Sequence, residues 1–546
     1  MRTLVATESD EGETDDGETP PEAPSTRVIP TWLGTLSLVG LIALGVGLRF
    51  VSTSSLWLDE ALSVNISALP VGDLLEQLRH DGHPPLYYLL LHYWMAVFGE
   101  GDAAVRALSG VIGVATLPLA WVAGRRLAGT AGARWALLVV AISPYCVRYS
   151  TETRMYALVM LLVLAGYLLV TDALGHGATA AAEASTARPT WPRLVGIAVV
   201  SGLLLLSHYW AIWLLGAVGL LLLAHWWTDR EARPSTLKVI VAVAAGGLFF
   251  LPWVPSFLYQ AEHTGTPWAG PMRPGAIVAV SLSDLGGGIN LYEAALYGLV
   301  IVTACLLALF LVRARGAELV LDLRTTPLVR PLLTVTATTI VVGAVMAYPT
   351  SATFQSRYAA VVVPLVLVAA GVGVSRLPGV PRMALGGLLV GLSLLGLFWN
   401  LYYERTQAGQ VGEQVAAHAQ PGDIVLTCPD QLGPAFSREI PDGVPAYVYP
   451  TLEGAELVDW VDYADRQAAA DPAAIAEEVR RLADGHDVYL VWRDSYETFG
   501  DQCQQLRGAL GEGGDIEDLV AADTDGFYET AYLSRISPAA PGTVAP

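Results

Sequence analysis

The chain has 546 residues, 53% of them hydrophobic, a mean hydropathy of +0.48 and a formal net charge of −20. That apolar content excludes an ordinary soluble globular protein. The acidity, with Lys238 as the only lysine, argues against nucleic-acid binding, which needs basic patches, and resembles the surfaces of proteins from salt-loving archaea.

Residues 1–28 carry eight acids (Glu8, Asp10, Glu11, Glu13, Asp15, Asp16, Glu18 and Glu22) against Arg2 and Arg27, with almost no large apolar residues. This predicts a solvated, disordered tail. It has neither the basic start nor the apolar run of a signal peptide. Beyond it, hydropathy predicts an α-helical polytopic membrane protein. A helix needs about 20 apolar residues to cross the bilayer core. Eleven stretches qualify, near 31–50, 104–123, 133–147, 155–171, 193–209, 211–227, 238–256, 291–312, 329–348, 358–374 and 383–400. The basic clusters Arg125–Arg126–Arg134, Arg230–Arg233–Lys238, Arg313–Arg315–Arg324–Arg330 and Arg376–Arg382 fall in alternate loops. The positive-inside rule then places the N-terminal tail in the cytoplasm and the C-terminal segment outside the cell membrane.

The first outer loop, roughly 51–103, is long. Within it Pro84–Phe98 (PPLYYLLLHYWMAVF) is apolar but short and contains His92; as a span it would move every later arginine cluster outside. It is therefore predicted as an interfacial helix with Tyr87, Tyr88, Tyr93 and Trp94 at headgroup depth, and 61–79 as a second one. The stretch 172–190 reads as a cytoplasmic linker. The outer loop 257–290, with Gly265, Pro267, Gly270, Pro271 and Gly286-Gly287-Gly288, fits either a lid or a plain connector. No internal repeat is visible, so an inverted-repeat transporter gains no support.

From about 401 the pattern becomes that of a small extracytoplasmic α/β domain, dividing the chain into the 1–28 tail, a 29–400 membrane domain and a 401–546 outer domain. Asp423–Thr427, Ala446–Tyr449 and Asp487–Trp492 read as buried strands. Asp471–Ala483 and Thr498–Leu510 read as amphipathic helices, and 519–537 as a hairpin turning at Asp525-Gly526. Cys146 and Cys305 fall in spans and read as packing residues. Cys428 and Cys503 lie outside, where a disulfide is chemically permitted, but sequence supplies no geometry to decide it. No cysteine spacing suits zinc.

Polar residues at the outer span ends are few and share one side: Asp59 and Glu60; His83; Arg106; the run Tyr149–Tyr156 with Glu152 and Arg154; His208-Tyr209; and Arg357-Tyr358. A carboxylate can take a proton from an incoming hydroxyl, while guanidinium groups hold a phosphate and stabilise its charge as it leaves. Structural readings stand beside these. Asp59 and Glu60 suit a helix start. Arg106, Arg154 and Arg357 suit interface anchors, and His83 and His208 suit satisfied structural histidines.

The order W-x-D-E from Trp57, H-P-P-L-Y-Y from His83, Phe98-Gly99 with Arg106 beyond, R-R-L-A-G from Arg125, and S-P-Y-x-x-x-Y-S-x-E-x-R-M-Y from Ser143 resembles the GT-C superfamily of membrane glycosyltransferases. More narrowly, it is similar to the branch holding protein O-mannosyltransferases and the lipid A aminoarabinose transferase; His208-Tyr209-Trp210 and Ser356-Arg357-Tyr358 also fit. The resemblance covers about 31–400 and is most specific over 56–160.

It implies an inverting transferase that moves one sugar, mannose by default, from a polyprenyl- or dolichyl-phosphate donor to an extracytoplasmic acceptor hydroxyl on a glycan, protein or lipid. Asp59 would be the base, with Glu60 beside it for acceptor contacts or pKa tuning. Lipid-phosphate and sugar binding would fall to His83, Arg106, Glu152, Arg154, Tyr156, His208, Arg357 and Tyr358. Two positions depart from the pattern: Glu152 stands where some relatives have aspartate, and His83 where the aminoarabinose transferases have lysine. No cofactor is expected. The first outer loop lacks an Asp-x-Asp, so a monophosphate donor handled by arginine is favoured over one balanced by a divalent metal. Trp460–Ala464 loosely resembles an acceptor motif of oligosaccharyltransferases, but two of its five positions differ. The alternatives are a transporter or flippase of lipid-linked sugars, which needs charges near span centres, and a non-catalytic assembly subunit, which tolerates loss of Asp59.

Overall fold

The computed structural model describes residues 31–175, 189–265, 272–287, 291–315, 318–350, 354–494 and 498–538. The acidic 1–28 tail, most of the 172–190 linker, and Pro267, Gly270, Pro271 and Gly288 of the outer loop lie outside them. Helices occupy all of the predicted spans. The first is α1 (Thr31–Leu48), followed by three short helices, α2 (Leu58–Ala68), α3 (Val71–Asp81) and α4 (Leu86–Phe98). Then come α5 (Asp102–Ala141), α6 (Pro144–Ser150), α7 (Tyr156–Leu174), α8 (Trp191–Leu205), α9 (Trp210–Thr228) and α10 (Arg233–Phe250). The series continues with α11 (Val254–His263), α12 (Pro274–Asp284), α13 (Leu291–Phe310), α14 (Arg330–Thr350), α15 (Val363–Arg376) and α16 (Gly379–Tyr402). Among the described residues, six helices are long and apolar enough to cross a membrane, and shorter apolar helices accompany them.

Two predicted spans share α5, which breaks at Ala128-Gly129. Gly129 takes φ +63°, a left-handed conformation that favours glycine. The two arms then fold back on each other: a Cβ on Gly124 would sit 2.5 Å from the Gly132 carbonyl oxygen. Arg126 near this tip pairs with Asp172 at the end of α7 (2.8 Å). α15 is the central buried helix. Its Gly371 and Gly373 let it approach the second arm of α5 and α13 so closely that a Cβ on Gly373 would lie 1.8 Å from the Ala304 carbonyl oxygen.

α4 is short, as expected for a surface helix, but its tyrosines divide. Tyr93 is exposed, whereas Tyr87 and Tyr88 are fully buried and hydrogen-bond to Ser109 and Asp81. A buried phenol needs a partner, and these two find theirs inside the protein rather than among headgroups. In the 257–290 stretch, which by sequence fits a lid or a connector, the described residues include α11 and α12, and Asp284 at the end of α12 reaches the site described below. A β-hairpin, β1 (Leu311–Arg315) with β2 (Glu318–Leu321), follows α13.

The C-terminal region holds β3 (Glu404–Thr406), α17 (Ala408–His418), β4 (Ile424–Cys428), β5 (Ala446–Val448), α18 (Pro472–Ala483), β6 (Val488–Trp492), α19 (Gln502–Leu510), β7 (Asp515–Val520), β8 (Phe527–Glu529) and β9 (Tyr532–Ser537). Five strands form a mixed sheet in the order β5-β4-β6-β9-β7, parallel across β5, β4 and β6. The continuous apolar runs of β4 and β6 are buried at every position, as strands covered on both faces are. Asp471 caps α18 by accepting from the N–H groups of Ala473 and Ala474. Cys428, ending β4, and Cys503, on α19, form a disulfide with their Cα atoms 5.5 Å apart.

The fold-back expected over 519–537 is present, since β7 and β9 pair antiparallel through Val520 and Leu533, but a wide loop rather than a tight turn at Asp525-Gly526 connects them. Asp523 accepts from the backbone N–H groups of Asp525 and Gly526, and the chain leads into β8, which pairs in parallel with the distant β3. The region is also joined to the helices at many points. Trp460 N–H donates to the His80 carbonyl (3.1 Å), Asp462 meets His263 (3.2 Å) and Asn65 donates to the Glu456 carbonyl (2.7 Å). The Trp460–Ala464 stretch is thus a docking segment against α3 and α11.

Candidate active site

Asp59 and Glu60 occupy the first turn of α2. Neighbouring helical residues point about 100° apart, so the two carboxylates enter different environments. Glu60 is fully buried. Arg106 grips it with two parallel bonds, Nε to Oε1 at 2.8 Å and Nη2 to Oε2 at 2.7 Å. Arg405 Nη1 adds 3.1 Å to Oε2, and the Thr153 N–H donates to Oε1 at 2.9 Å. Burial alone would raise this carboxyl, but Arg106 and then Arg405 outweigh it and hold the group down at about 2. Arg106 and Arg405 are themselves spread over carbonyls: Arg106 reaches Ser54 O (2.6 Å) and Arg405 reaches Thr151 O (2.7 Å). The result is a closed clamp joining α2, α5, the loop before α7, and β3.

Asp59 faces the other way and keeps 17% of its side chain exposed. Its Oδ2 lies 3.2 Å from Arg357 Nη1 and 4.0 Å from Arg154 Nε, yet makes no hydrogen bond. The Nε atoms of Arg154 and Arg357, the Tyr156 hydroxyl and Glu152 Oε1 also have no hydrogen-bond partner. Buried polar atoms are seldom left so, and their concentration around one carboxylate marks a place for a polar ligand. Burial holds Glu152 above the ordinary carboxylate range, against the pull of Arg405 and with the push of Glu60.

Arg154 is fixed from behind. Its Nη1 donates to Ser63 Oγ and to the Tyr88 hydroxyl, each at 3.1 Å, and its Nη2 to His83 Nε2 at 2.8 Å. Because a guanidinium only donates, His83 must accept at Nε2 and carry its proton on Nδ1, which donates to Asp81 Oδ2 at 2.8 Å. Asp81 also accepts from the Tyr88 hydroxyl (2.9 Å). With its accepting nitrogen taken by Arg154, His83 orients that arginine in this structure. His208 likewise accepts the Trp210 N–H at Nδ1 (3.1 Å), and its ring sits 5.1 Å from Tyr358 and 5.7 Å from Tyr156. Those three rings form an aromatic cluster near Arg357, with His208 and Tyr156 buried and Tyr358 partly so.

All ten sequence-predicted site residues therefore fall within two linked networks at one end of the helical assembly. Sequence reasoning missed Arg405, Asp81, Tyr88, Ser63, Arg148 and Glu529. Glu529 of β8 accepts the Leu58 N–H through Oε1 (3.2 Å), capping the helix that carries Asp59. Its burial raises it to about 8. Asp81 carried a signal, sitting two residues before His83; Arg405 and Glu529 carried none, being hundreds of residues from α2. Among the described residues, no group of three or more His, Cys, Asp or Glu side chains is placed to hold a metal ion.

No family model and no curated protein matches the sequence. Solved structures do. ArnT from Cupriavidus metallidurans in the apo state aligns at 13% identity with a TM-score of 0.60, covering 92% of this chain and 98% of that one. The same protein bound to undecaprenyl phosphate aligns at 15% identity with a TM-score of 0.55 and the same coverage. The chain has the GT-C fold. At these identities the likeness establishes architecture, including the C-terminal region, and the chemistry rests on the site itself.

Proposed function

We propose that this GT-C-fold chain is an inverting glycosyltransferase that moves a single sugar from a polyprenyl- or dolichyl-phosphate donor to a hydroxyl outside the cell membrane. The observation that carries the reading is Asp59: a part-exposed carboxylate with an oxygen free of hydrogen bonds, flanked by Arg357, which lies over the Trp57 ring, and by Arg154, which Ser63, Tyr88 and His83 hold in place. The acceptor oxygen bonds to the anomeric carbon, and its proton passes to Asp59. The bond from that carbon to the phosphate oxygen breaks, and its electron pair leaves on the lipid phosphate. Arg357 and Arg154 stabilise the charge gathering there. Attack opposite the leaving group inverts the anomeric centre.

Glu60, Arg106 and Arg405 act as positioning residues, since the Glu60 carboxylate has no open side. Mannose is the first sugar to assay, and the arginine-lined site supports a reaction without a divalent metal. The N-terminus is assigned to the cytoplasm and the site to the opposite face, following the arginine distribution. Membranes containing the chain, given labelled dolichyl-phosphate mannose and then other dolichyl-phosphate sugars, are expected to release unlabelled lipid phosphate and label an acceptor, with or without chelator. No transfer from any of these donors would contradict the reading.

A further inference from the structure

A cavity of about 730 Å³ opens beside Arg357 and Glu152, between the ends of α6, α12 and α16 and the β3–β8 ribbon. Its walls are aromatic: Trp57 meets Tyr528 edge-on at 5.5 Å, and Trp399 meets Tyr402 at 5.7 Å. Between the rings lie polar atoms that have no hydrogen-bond partner, namely Trp57 Nε1, Trp399 Nε1, Asn400 Oδ1 and Glu152 Oε1. Asn400 is held by its other atom, Nδ2, which donates to the Pro144 carbonyl at 3.0 Å.

The three cations that line this cavity each face a carboxylate: Arg148 faces Asp284 at 3.6 Å, Arg357 faces Asp59, and Arg405 faces Glu60. Glu152 and Asp525 add two further acids to the lining, so an anionic acceptor would meet excess negative charge, the Nε edge of Arg357 being left to the donor phosphate. An acyl chain would find little aliphatic wall, since Ala279 and Val280 are the small apolar side chains there. Flat apolar rings interleaved with unpartnered donors and acceptors suit a molecule with apolar faces and hydroxyl edges.

We propose that this cavity is the acceptor subsite and that it takes a neutral saccharide, presenting one ring hydroxyl toward Asp59. This rests on the transferase reading for the role of acceptor, while saccharide binding stands independently of it. Tyr528, more than half exposed on the C-terminal ribbon, supplies the outer aromatic face.

The test uses the full chain in lipid nanodiscs without donor, titrated calorimetrically with the methyl glycoside of a neutral hexose disaccharide, its uronic acid counterpart and a threonine-containing hexapeptide. The neutral disaccharide is expected to bind wild type and Asp59→Asn, and to bind about tenfold more weakly to Tyr528→Ala and to Asn400→Ala. Tyr528→Phe, which keeps the ring, is expected to restore binding. Absence of disaccharide binding, indifference to Tyr528→Ala, or preferential binding of the peptide or the uronic acid would overturn the proposal. Saccharide binding by a chain that transfers no sugar would leave the subsite standing and remove the transferase reading.

Discussion

Asp59 and Glu60 differ by about 100° of helix rotation, which gives one a part-exposed carboxylate with an oxygen free of hydrogen bonds and the other a sealed clamp. Removing one partner of a buried, hydrogen-bonded ion pair leaves an uncompensated charge, at a cost of roughly 3–5 kcal/mol. Glu60→Gln is therefore expected to lower the melting temperature sharply in detergent, whereas Asp59→Asn, which removes a part-exposed partner with no hydrogen bond at Oδ2, is expected to lower it less. Glu529 makes a pH prediction. Its folded-state value of about 8 lies above the ordinary 4.5, so its stabilising contribution is complete below about 4.5 and lost as pH rises through about 8. Melting temperature measured from pH 5 to 9 should fall less in Glu529→Gln than in wild type, because the amide keeps the carbonyl that accepts Leu58 N–H. Glu60 has the opposite sign: its value of about 2 makes its contribution present above about 4.5 and lost as pH drops toward 2. Asp59, Arg154 and Arg357 were legible in sequence because each ends a hydrophobic run on one side. Arg405 was not: it follows the last span, where an arginine reads by default as an interface anchor.

Hydropathy located the helices well because a bilayer imposes length and composition on each span separately. It said nothing about breaks and close approaches, which depend on neighbours. Gly129 and Gly373 show both. Gly373→Ala would drive a methyl group into the Ala304 carbonyl, and overpacking of this kind costs about 1–3 kcal/mol. A thermal melt of that variant should show the loss, while Gly387→Ala, whose Cβ meets nothing within 4 Å, should not. The 519–537 stretch folds back as expected, with β7 and β9 antiparallel, but its connection is wider than a hairpin turn for a related reason. The residues after Asp525-Gly526 enter β8, which pairs with the distant β3, and a long-range register leaves no local trace. The buried strands β4 and β6 were legible because their apolar runs are continuous.

At the scale of the whole molecule, the C-terminal region completes the site rather than hanging beside it. Its β3–β8 ribbon delivers Arg405 to Glu60, Glu529 to the start of α2 and Tyr528 to the cavity wall. A chain ending after Tyr402 is expected to insert into membranes but to lose transfer, and Arg405→Gln alone should reproduce much of that loss. Composition alone pointed to a membrane protein with an outer domain; it could not show that the two share one site. The role of Asp59 as base is decided by Asp59→Asn in native membranes supplied with labelled dolichyl-phosphate sugar, compared with wild type at equal amounts of folded protein. Transfer is expected to fall by at least about a hundredfold, the low end of what a general base contributes. Transfer at the wild-type rate would contradict that role.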